Sequence, residues 1–313
     1  MYDEDQEARR SDRRTSARRA VQPQARRGRQ RSGTNTGAIV ATVAAVLVVV
    51  SGGLMLIATQ TPPTRSSVAP AAATPKPTSA DIVTPAAPPP APVAEQSESM
   101  IGSSVRGVPI PLVRFGSGPR RLLVVGGVHG NEYGAAVAEQ LVSALRAQPD
   151  LVPAGSTIEV IACLNPDGRA AHTRANINGV DINRNLPAST WAAKLDKRDS
   201  SGGQGLTGGT TPASEPETKA FLAAYTTGYS AIISLHSRGG LVDFDGPGAE
   251  ALAKEISVAT GLPVKHLAYQ PYIRGSMGQY LAEKGTPLVT VELNDQTLTD
   301  KLRSGILMVA GQN

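Results

Sequence analysis

Short apolar runs alternate with helical patterns along the last two thirds of the chain. Four runs rich in valine, isoleucine and leucine have the length and composition of strands buried on both faces of a sheet. They are "RLLVV" at 121–125, "TIEVIACL" at 157–164, "AIISL" at 231–235 and "PLVTVEL" at 287–293. Between the first two runs, Val137, Leu141 and Leu145 recur at a helical spacing, which predicts a helix that packs on the sheet.

Three further helices are predicted nearer the carboxyl end. In "SEPET", Ser214 is positioned to cap a helix, with Glu217 three residues later and Pro216 in the first turn, where no backbone donor is needed. Helical patterns also cover 248–260 and 298–310. Strands that alternate with helices predict an α/β fold, in which helices flank a mixed, mostly parallel central sheet.

Residues 1–34 are predicted to form a disordered, arginine-rich tail. Residues 1–31 hold ten arginines and five acidic residues but almost no apolar ones, so this segment cannot bury enough surface to offset the entropy of ordering it. Residues 101–313, by contrast, carry 19 basic and 18 acidic side chains. The basic pI therefore comes from the tail, and the balanced charge of the rest argues against a nucleic-acid partner.

An uncharged segment follows the tail. No charged residue lies between Ser32 and Thr64, and the apolar centre at 35–60 is long enough, at about 1.5 Å per residue, to cross about 30 Å of hydrocarbon. A signal peptide is the alternative, but its apolar region would be shorter, at roughly 7–15 residues. We therefore expect one transmembrane helix at 35–60, with the N-terminus in the cytoplasm because the arginines precede the span.

Residues 61–100 hold ten prolines and nine alanines, which predicts a semi-rigid stalk outside the membrane. A domain at 101–313 would then be held outside the cytoplasm at the end of this stalk. Cys163 is the only cysteine, so no intrachain disulfide can form and the hydrophobic core must hold the fold together.

Polar residues that could bind a metal ion or act on a substrate follow the predicted strands. His129 and Glu132 come after the first run, His236 follows the third, and Glu292 lies near the end of the fourth. In parallel sheets such side chains meet outside the carboxyl ends of the strands. Catalytic zinc takes three protein ligands from histidine and carboxylate side chains and keeps a fourth position for water. The first three of these residues therefore predict a zinc site.

Each of these residues alone has an ordinary alternative. A lone HxxE pair occurs by chance, and a histidine after a strand usually only forms a hydrogen bond, so it is the combination that indicates zinc. His172 and His266 have no comparable neighbours in the sequence and are predicted to lie at the surface.

Six motifs, in order, resemble those of the zinc metallocarboxypeptidases of the carboxypeptidase A type. They are "GGVHGNE", "NPDG", "RANINGVDINRNLP", "PASEPET", "SLHS" and "GSMGQYLAEKGTPLVTVELND". Within that family the chain is most similar to the small bacterial murein peptide amidases, which cut the bond between γ-D-glutamate and diaminopimelate in peptidoglycan stem peptides. The resemblance covers residues 101–313 and implies a zinc carboxypeptidase-like fold.

The resemblance also implies a catalytic role for each matching residue. It assigns one zinc ion to His129, Glu132 and His236, and it makes Glu292 the general base that deprotonates the zinc-bound water. Arg174 corresponds to the arginine that stabilises the tetrahedral oxyanion, a role that needs a fixed positive charge.

Substrate-binding residues follow from the same resemblance. Asn183 and Arg184, in "DINRN", correspond to the pair that binds the terminal carboxylate of the substrate, a task suited to a planar guanidinium. The residue that lines the specificity pocket, 15 positions before the base, is Met277. A methionine there offers no charge to select a basic side chain.

The tyrosine that covers the substrate in this family has no direct match. Its place, 22 positions before the base, is taken by Gln270, and Tyr269 and Tyr272 flank that position. Tyr272 is therefore a candidate substrate-binding residue.

Two acidic residues follow the third predicted ligand. Asp243 and Asp245, in "LVDFDGPG", match a stretch of the murein peptide amidases. Diaminopimelate carries a distal ammonium group, and a carboxylate in the pocket could pair with it. The alternative is that both aspartates only cap the turn at Gly246 and Pro247.

Together these features predict a membrane-anchored, extracytoplasmic zinc metallopeptidase that hydrolyses amide bonds at the C-terminal end of peptidoglycan stem peptides. Two alternatives stay open. One is a zinc amidohydrolase of the same fold that deacylates small N-acyl amino acids. The other is a catalytically inactive protein that binds wall peptides without cutting them.

Overall fold

The computed structural model describes residues 95–267 and 270–312. The predicted tail, the predicted transmembrane helix and nearly all of the predicted stalk lie outside these ranges. No helix within them is both long enough and apolar enough to cross a bilayer. The first strand begins at Gln96, so the end of the predicted stalk, 96–100, belongs to the folded domain.

The described residues form seven strands and seven α-helices. The strands are β1 (Gln96–Ser103), β2 (Pro109–Phe115), β3 (Arg120–Val125), β4 (Ser156–Ile161), β5 (Tyr229–Ser237), β6 (Leu241–Asp245) and β7 (Leu288–Leu293). The helices are α1 (Gly134–Ala147), α2 (Pro166–Ala171), α3 (Ser200–Gly203), α4 (Pro216–Ala224), α5 (Ala249–Thr260), α6 (Met277–Glu283) and α7 (Asp300–Gly311). Short 3₁₀ helices lie at Pro149–Leu151 and Ile182–Arg184.

The seven strands form one mixed sheet in the order β1-β2-β4-β3-β5-β7-β6. The four predicted strands, β4, β3, β5 and β7, are parallel and form its centre. The other three strands pair antiparallel at the two edges. The mixed sheet is confirmed, but "mostly parallel" describes only its centre. The edge strand β1 gives no apolar run because nearly all of its residues are exposed.

Alternate residues of the central strands face two hydrophobic layers. Leu122 and Val124 of β3 pack with α1, α5 and α7, whereas Leu123 and Val125 pack with α4 and α6 on the opposite face. All four side chains are almost fully buried. Burial on both faces is the reason why these strands appear in the sequence as unbroken apolar runs.

The predicted helices are confirmed as α1, α4, α5 and α7, with one correction at a helix end. The three apolar residues that predicted α1 are fully buried. Pro216 takes the first position of α4 as expected, but the cap residue is Glu215 and not Ser214. The Ser214 hydroxyl is engaged elsewhere, because it accepts a hydrogen bond from Asn185 and donates one to the Glu215 carboxylate.

Candidate active site

The loop between β3 and α1 makes the tight corner that carries the first two predicted zinc ligands. Gly127 adopts a φ of 62°, a conformation that other residues rarely adopt. Gly134 lies directly against β5, where a Cβ atom would collide with the carbonyl oxygen of Leu235. The two glycines therefore allow the corner to approach the end of β5, next to His236.

His129, Glu132 and His236 converge on one point. His129 Nδ1 lies 2.8 Å from Glu132 Oε1 and 3.1 Å from His236 Nδ1. His236 Nδ1 in turn lies 3.0 Å from Glu132 Oε2. Both histidines are buried, and one ligand atom from each of the three residues lies within 4.8 Å of the others. The predicted ligands are thus brought together and could hold a metal ion.

The donor set and its spacing fit zinc. Two donors bound at about 2.0–2.1 Å to a tetrahedral zinc ion lie about 3.4 Å apart, close to the separations found here. His129 Nε2 lies 3.1 Å from the carboxylate of Asp181. A carboxylate at this place can hold the ring proton on Nε2 and so leave Nδ1 available to a metal ion.

The electrostatic surroundings favour positive charge at this point. Burial opposes a charge on His129, but the carboxylates of Glu132 and Asp181 outweigh it and raise the pKa of the imidazole. Burial also opposes the charge on Glu132, yet His129 and His236 hold the pKa of its carboxyl well below its usual range. The pKa of the fully buried Asp181 is likewise lowered, because His129 and Arg174 lie beside it.

Asp181 is not among the predicted site residues, although it begins the motif "DINRN". Besides facing His129, its carboxylate accepts hydrogen bonds from Arg174 Nε at 2.9 Å, Ser201 Oγ at 2.5 Å and the backbone N–H of Asn183 at 2.9 Å. Asp181 therefore orients both a predicted metal ligand and the predicted oxyanion arginine. Its sequence position, next to two predicted substrate-binding residues, was the available signal.

Glu292 lies beside His236 but outside the three-residue cluster. The two residues are Cα partners in the parallel pairing of β5 and β7, so their side chains project from the same face of the sheet. Glu292 Oε2 accepts a hydrogen bond from the backbone N–H of Gly239 at 3.2 Å. This location suits a general base that acts next to a metal ion without binding it.

Arg174 lies at the edge of the cluster. Its Nη1 lies 3.2 Å from Glu132 Oε1, and its Nε is held by Asp181 and Ser201. The side chain is 18% exposed, so part of the guanidinium faces the open cavity. A fixed positive charge is therefore available beside the predicted metal position.

A cavity of about 280 Å³ joins these groups. Its walls include ten of the eleven predicted site residues: His129, Glu132, Arg174, Asn183, Arg184, His236, Asp243, Asp245, Met277 and Glu292. The exception is Tyr272, whose ring lies under the guanidinium of Arg198, 5.1 Å from its centre. The assignment of Tyr272 to substrate binding stays a prediction. Tyr269 lies outside the described residues, and Gln270 is exposed.

Arg184 and Asn183 form one part of the cavity wall. Arg184 is buried and makes a bidentate pair with Asp199, at 2.6 and 3.1 Å. Burial opposes the charge, but the acidic neighbours Asp181 and Asp199 raise the pKa of the guanidinium. Its Nη1 donates to the Asn183 carbonyl oxygen, so only part of the five-donor fork remains for a ligand. Asn183 Oδ1 accepts from the Met277 N–H at 2.8 Å, which orients the amide.

β6 places two carboxylates on the floor of the cavity. Asp243 and Asp245 alternate along β6 with residues that face the core. Their partners on the neighbouring strand β7 are Thr290 and Leu288, which also line the cavity. Both aspartates are less than a tenth exposed. Asp243 lies inside the strand and accepts a hydrogen bond from the Leu267 N–H at 2.8 Å, outside the turn at Gly246 and Pro247.

Ser234 is a further cavity residue that was not predicted. It lies on β5 two residues before His236 and is 1% exposed. Its hydroxyl has no hydrogen-bond partner among the described residues. Because an unsatisfied buried polar group costs about 1–3 kcal/mol, a polar ligand group in the cavity would be stabilised there. In the sequence, Ser234 is a serine within an apolar run, and its spacing of two residues from His236 indicates that both side chains lie on the same face of the strand.

The remaining histidines lie at the surface, as predicted. His172 is exposed at the end of α2. His266 is also exposed, but its ring stacks on Phe244 and its Nδ1 lies 3.4 Å from Asp243. His266 therefore contacts the cavity floor from outside.

Comparisons with known proteins agree with this geometry. Residues 96–246 match the family model described as zinc carboxypeptidase. The chain is 32% identical over 205 residues to murein peptide amidase A of Escherichia coli (strain K12). The aligned region covers 62% of this chain and 78% of that protein. It is 31% identical over 206 residues to murein peptide amidase A of Vibrio campbellii (strain ATCC BAA-1116), covering 61% and 77%.

A solved structure is similar as well. The crystal structure of murein-tripeptide amidase from Escherichia coli O157 superimposes with a TM-score of 0.55 at 27% identity, covering 69% of this chain and 92% of that chain. The family model ends at residue 246, before Glu292. The position of Glu292 therefore rests on its strand register with His236.

Proposed function

Because the chain belongs to the zinc carboxypeptidase family and is a hydrolase, we propose that it cuts the amide bond between γ-D-glutamate and diaminopimelate in peptidoglycan-derived peptides. The observation that carries this proposal is the convergence of His129, Glu132 and His236 beside Glu292, in a cavity with an acidic floor. The names of the related proteins, which are murein peptide amidases, support the choice of substrate.

The metal site would be formed by the Nδ1 atoms of His129 and His236 and the carboxylate of Glu132. A zinc ion bound there supplies a Lewis acid that lowers the pKa of a water ligand towards about 7. Asp181 keeps the proton on Nε2 of His129, which leaves the Nδ1 lone pair free for the metal. Such a partner also fixes the ring orientation.

Glu292 would transfer the proton during the reaction, and Arg174 would stabilise the negative charge that develops. Glu292 takes a proton from the attacking water and returns it to the amine nitrogen as the C–N bond breaks. The Gly239 N–H holds the Glu292 carboxylate in place for both transfers. Arg174 stabilises the negative charge that develops on the carbonyl oxygen.

The cavity would bind the diaminopimelate part of the substrate. Arg184 and Asn183 supply donors for its carboxylate near the cleaved bond. Asp243 and Asp245 supply negative charge for the distal ammonium, and the unsatisfied hydroxyl of Ser234 adds a polar contact on the same floor. Met277 completes the wall without adding charge. This arrangement favours a substrate that is charged at both ends.

The proposal is tested with the zinc-loaded full chain and the tripeptide L-Ala-γ-D-Glu-diaminopimelate. We expect the protein to release diaminopimelate from this peptide, and chromatography measures the amount released. Hydrolysis of only N-acyl amino acids would replace the proposal with the amidohydrolase alternative. Binding of the tripeptide without turnover would replace it with the inactive wall-peptide binder.

We also propose that residues 35–60 anchor the protein in the cell membrane and that the hydrolase domain lies outside. The support is the long uncharged segment preceded by arginines. External protease added to intact cells should remove the domain, and deletion of residues 1–60 should release it from the membrane fraction. Protection of the domain from protease, or membrane retention after the deletion, would contradict the proposal.

A further inference from the structure

Arg238 directly follows Ser237, a residue of the cavity wall, in a segment that is held on both sides. Before it, the Ser237 N–H donates to Glu132 Oε2 at 3.2 Å, and Ser237 Oγ accepts from the Tyr133 N–H at 3.0 Å. After it, the Gly239 N–H donates to Glu292. The backbone of Arg238 is therefore fixed between a predicted metal ligand and the predicted base.

The guanidinium of Arg238 is exposed and has no acidic partner. It lies over the ring of Tyr133, 4.8 Å from the ring centre, and no carboxylate of the described residues forms an ion pair with it. Arg174 and Arg184, in contrast, are both paired with buried carboxylates. A guanidinium stacked on an aromatic ring keeps its N–H edge free for a planar, bidentate acceptor such as a carboxylate.

The proposed function, on which this inference rests, fixes which part of the substrate lies near the rim. The leaving amine and its side chain occupy the cavity floor formed by Asp243 and Asp245. The acyl part would then extend outwards, past the segment between His236 and Gly239. A γ-linked glutamate carries a free α-carboxylate on this acyl part.

We infer that Arg238 binds a free carboxylate on the acyl side of the cleaved bond and thereby selects γ-linked acidic residues. The guanidinium forms charge-assisted hydrogen bonds with the α-carboxylate of the γ-glutamyl residue. An α-carboxamide in the same place removes the charge and half of the acceptor pair. The enzyme should therefore distinguish stem peptides that carry γ-D-glutamate from those that carry γ-D-isoglutamine.

The test compares kcat/KM for two tripeptides, L-Ala-γ-D-Glu-diaminopimelate and its α-carboxamide analogue, on the zinc-loaded full chain. We expect the unmodified protein to prefer the carboxylate by about twofold to fivefold, the range for an ion pair at an exposed site. Arg238→Gln should reduce this ratio to about one, and Arg238→Lys should keep part of it. Arg274→Gln, which changes an exposed arginine before α6, serves as the matched control and should keep the full ratio.

Equal kcat/KM for the two peptides in the unmodified protein would overturn the inference, and so would a full preference in Arg238→Gln. Loss of the preference in Arg274→Gln alone would also overturn it. If the zinc-loaded protein cuts neither peptide, both the proposed function and the inference fail. If it cuts both peptides equally, only the inference fails.

Discussion

Glu292 and His236 are Cα partners in neighbouring parallel strands, so the predicted general base stands beside a predicted metal ligand at the same level of the sheet. Parallel pairing puts both side chains on one face, whereas the ligand cluster itself contains only His129, Glu132 and His236. The strand register thus separates the residues that hold the metal from the residue that moves the proton. The two groups can be tested independently.

Replacement of Glu292 by glutamine should abolish turnover without loss of zinc. An amide keeps the size of the side chain and can still accept from the Gly239 N–H, but it cannot take a proton from water. We expect kcat to fall by about 10²–10⁴-fold, measured by diaminopimelate release, with zinc content unchanged by elemental analysis. Glu250→Gln, at an exposed glutamate of α5, is the matched control. A variant that lost zinc would identify Glu292 as a ligand and contradict the account.

Replacement of Gly239 by alanine should displace the base. A Cβ atom there would lie 3.0 Å from Glu292 Cβ and 3.1 Å from its Cγ, closer than real Cβ contacts usually come. Because a shift of about 1 Å in a catalytic group can cost about 10²-fold, we expect kcat to fall at least tenfold with zinc affinity retained. Gly203→Ala, where the nearest atom is 3.6 Å away, is the control. Equal activity of the two variants would show that Gly239 does not position Glu292.

Replacement of Asp181 by asparagine should weaken zinc binding. The variant loses the charge that keeps the proton on His129 Nε2 and that pairs with Arg174. Changes of this kind typically cost about 10–100-fold in metal affinity, which competition with a chelator measures. Asp181 is buried, so the thermal unfolding midpoint is recorded as well, and Ser201→Ala provides a milder loss on the same carboxylate. Unchanged zinc affinity in a folded Asp181→Asn variant would exclude this role.

Replacement of Asp243 or Asp245 by asparagine should reduce selectivity for diaminopimelate. The measured quantity is the ratio of kcat/KM for the tripeptide to that for an analogue without the distal ammonium. Loss of one charged hydrogen bond predicts a fall of about tenfold in this ratio. Asp300→Asn, at a highly exposed aspartate of α7, is the control. An unchanged ratio in both cavity variants would end the proposal for the acidic floor.

The centre of the fold is predictable from the sequence, but its edges are not. The parallel strands are buried on both faces and appear as apolar runs, whereas β1 is exposed and β6 contains two aspartates, Asp243 and Asp245. Those aspartates interrupt the apolar pattern because they face the cavity. The two aspartates therefore make β6 hard to predict as a strand, and they are also the residues by which β6 contributes to the site.

The metal cluster and the base are predictable because each residue lies at or just after the end of a recognisable apolar run. Asp181 forms a hydrogen bond with His129, and Gly239 lies in close contact with Glu292. Both partners are far away in the sequence, so no local pattern contains these relationships. Tyr272 shows the reverse case. It was proposed only because it flanks the position of the substrate-covering tyrosine, and its stacking with Arg198 could not be read from the sequence.

The central claim is that one zinc ion is held jointly by His129, Glu132 and His236. The most direct measurement is an anomalous difference map, recorded at the zinc absorption edge from crystals of the zinc-loaded protein. The account predicts a single peak at about 2.0–2.2 Å from both Nδ1 atoms and from the Glu132 carboxylate, with the Glu292 carboxylate close by but outside ligand distance. A peak elsewhere, or no peak at these three residues in a protein that still hydrolyses its substrate, would contradict it.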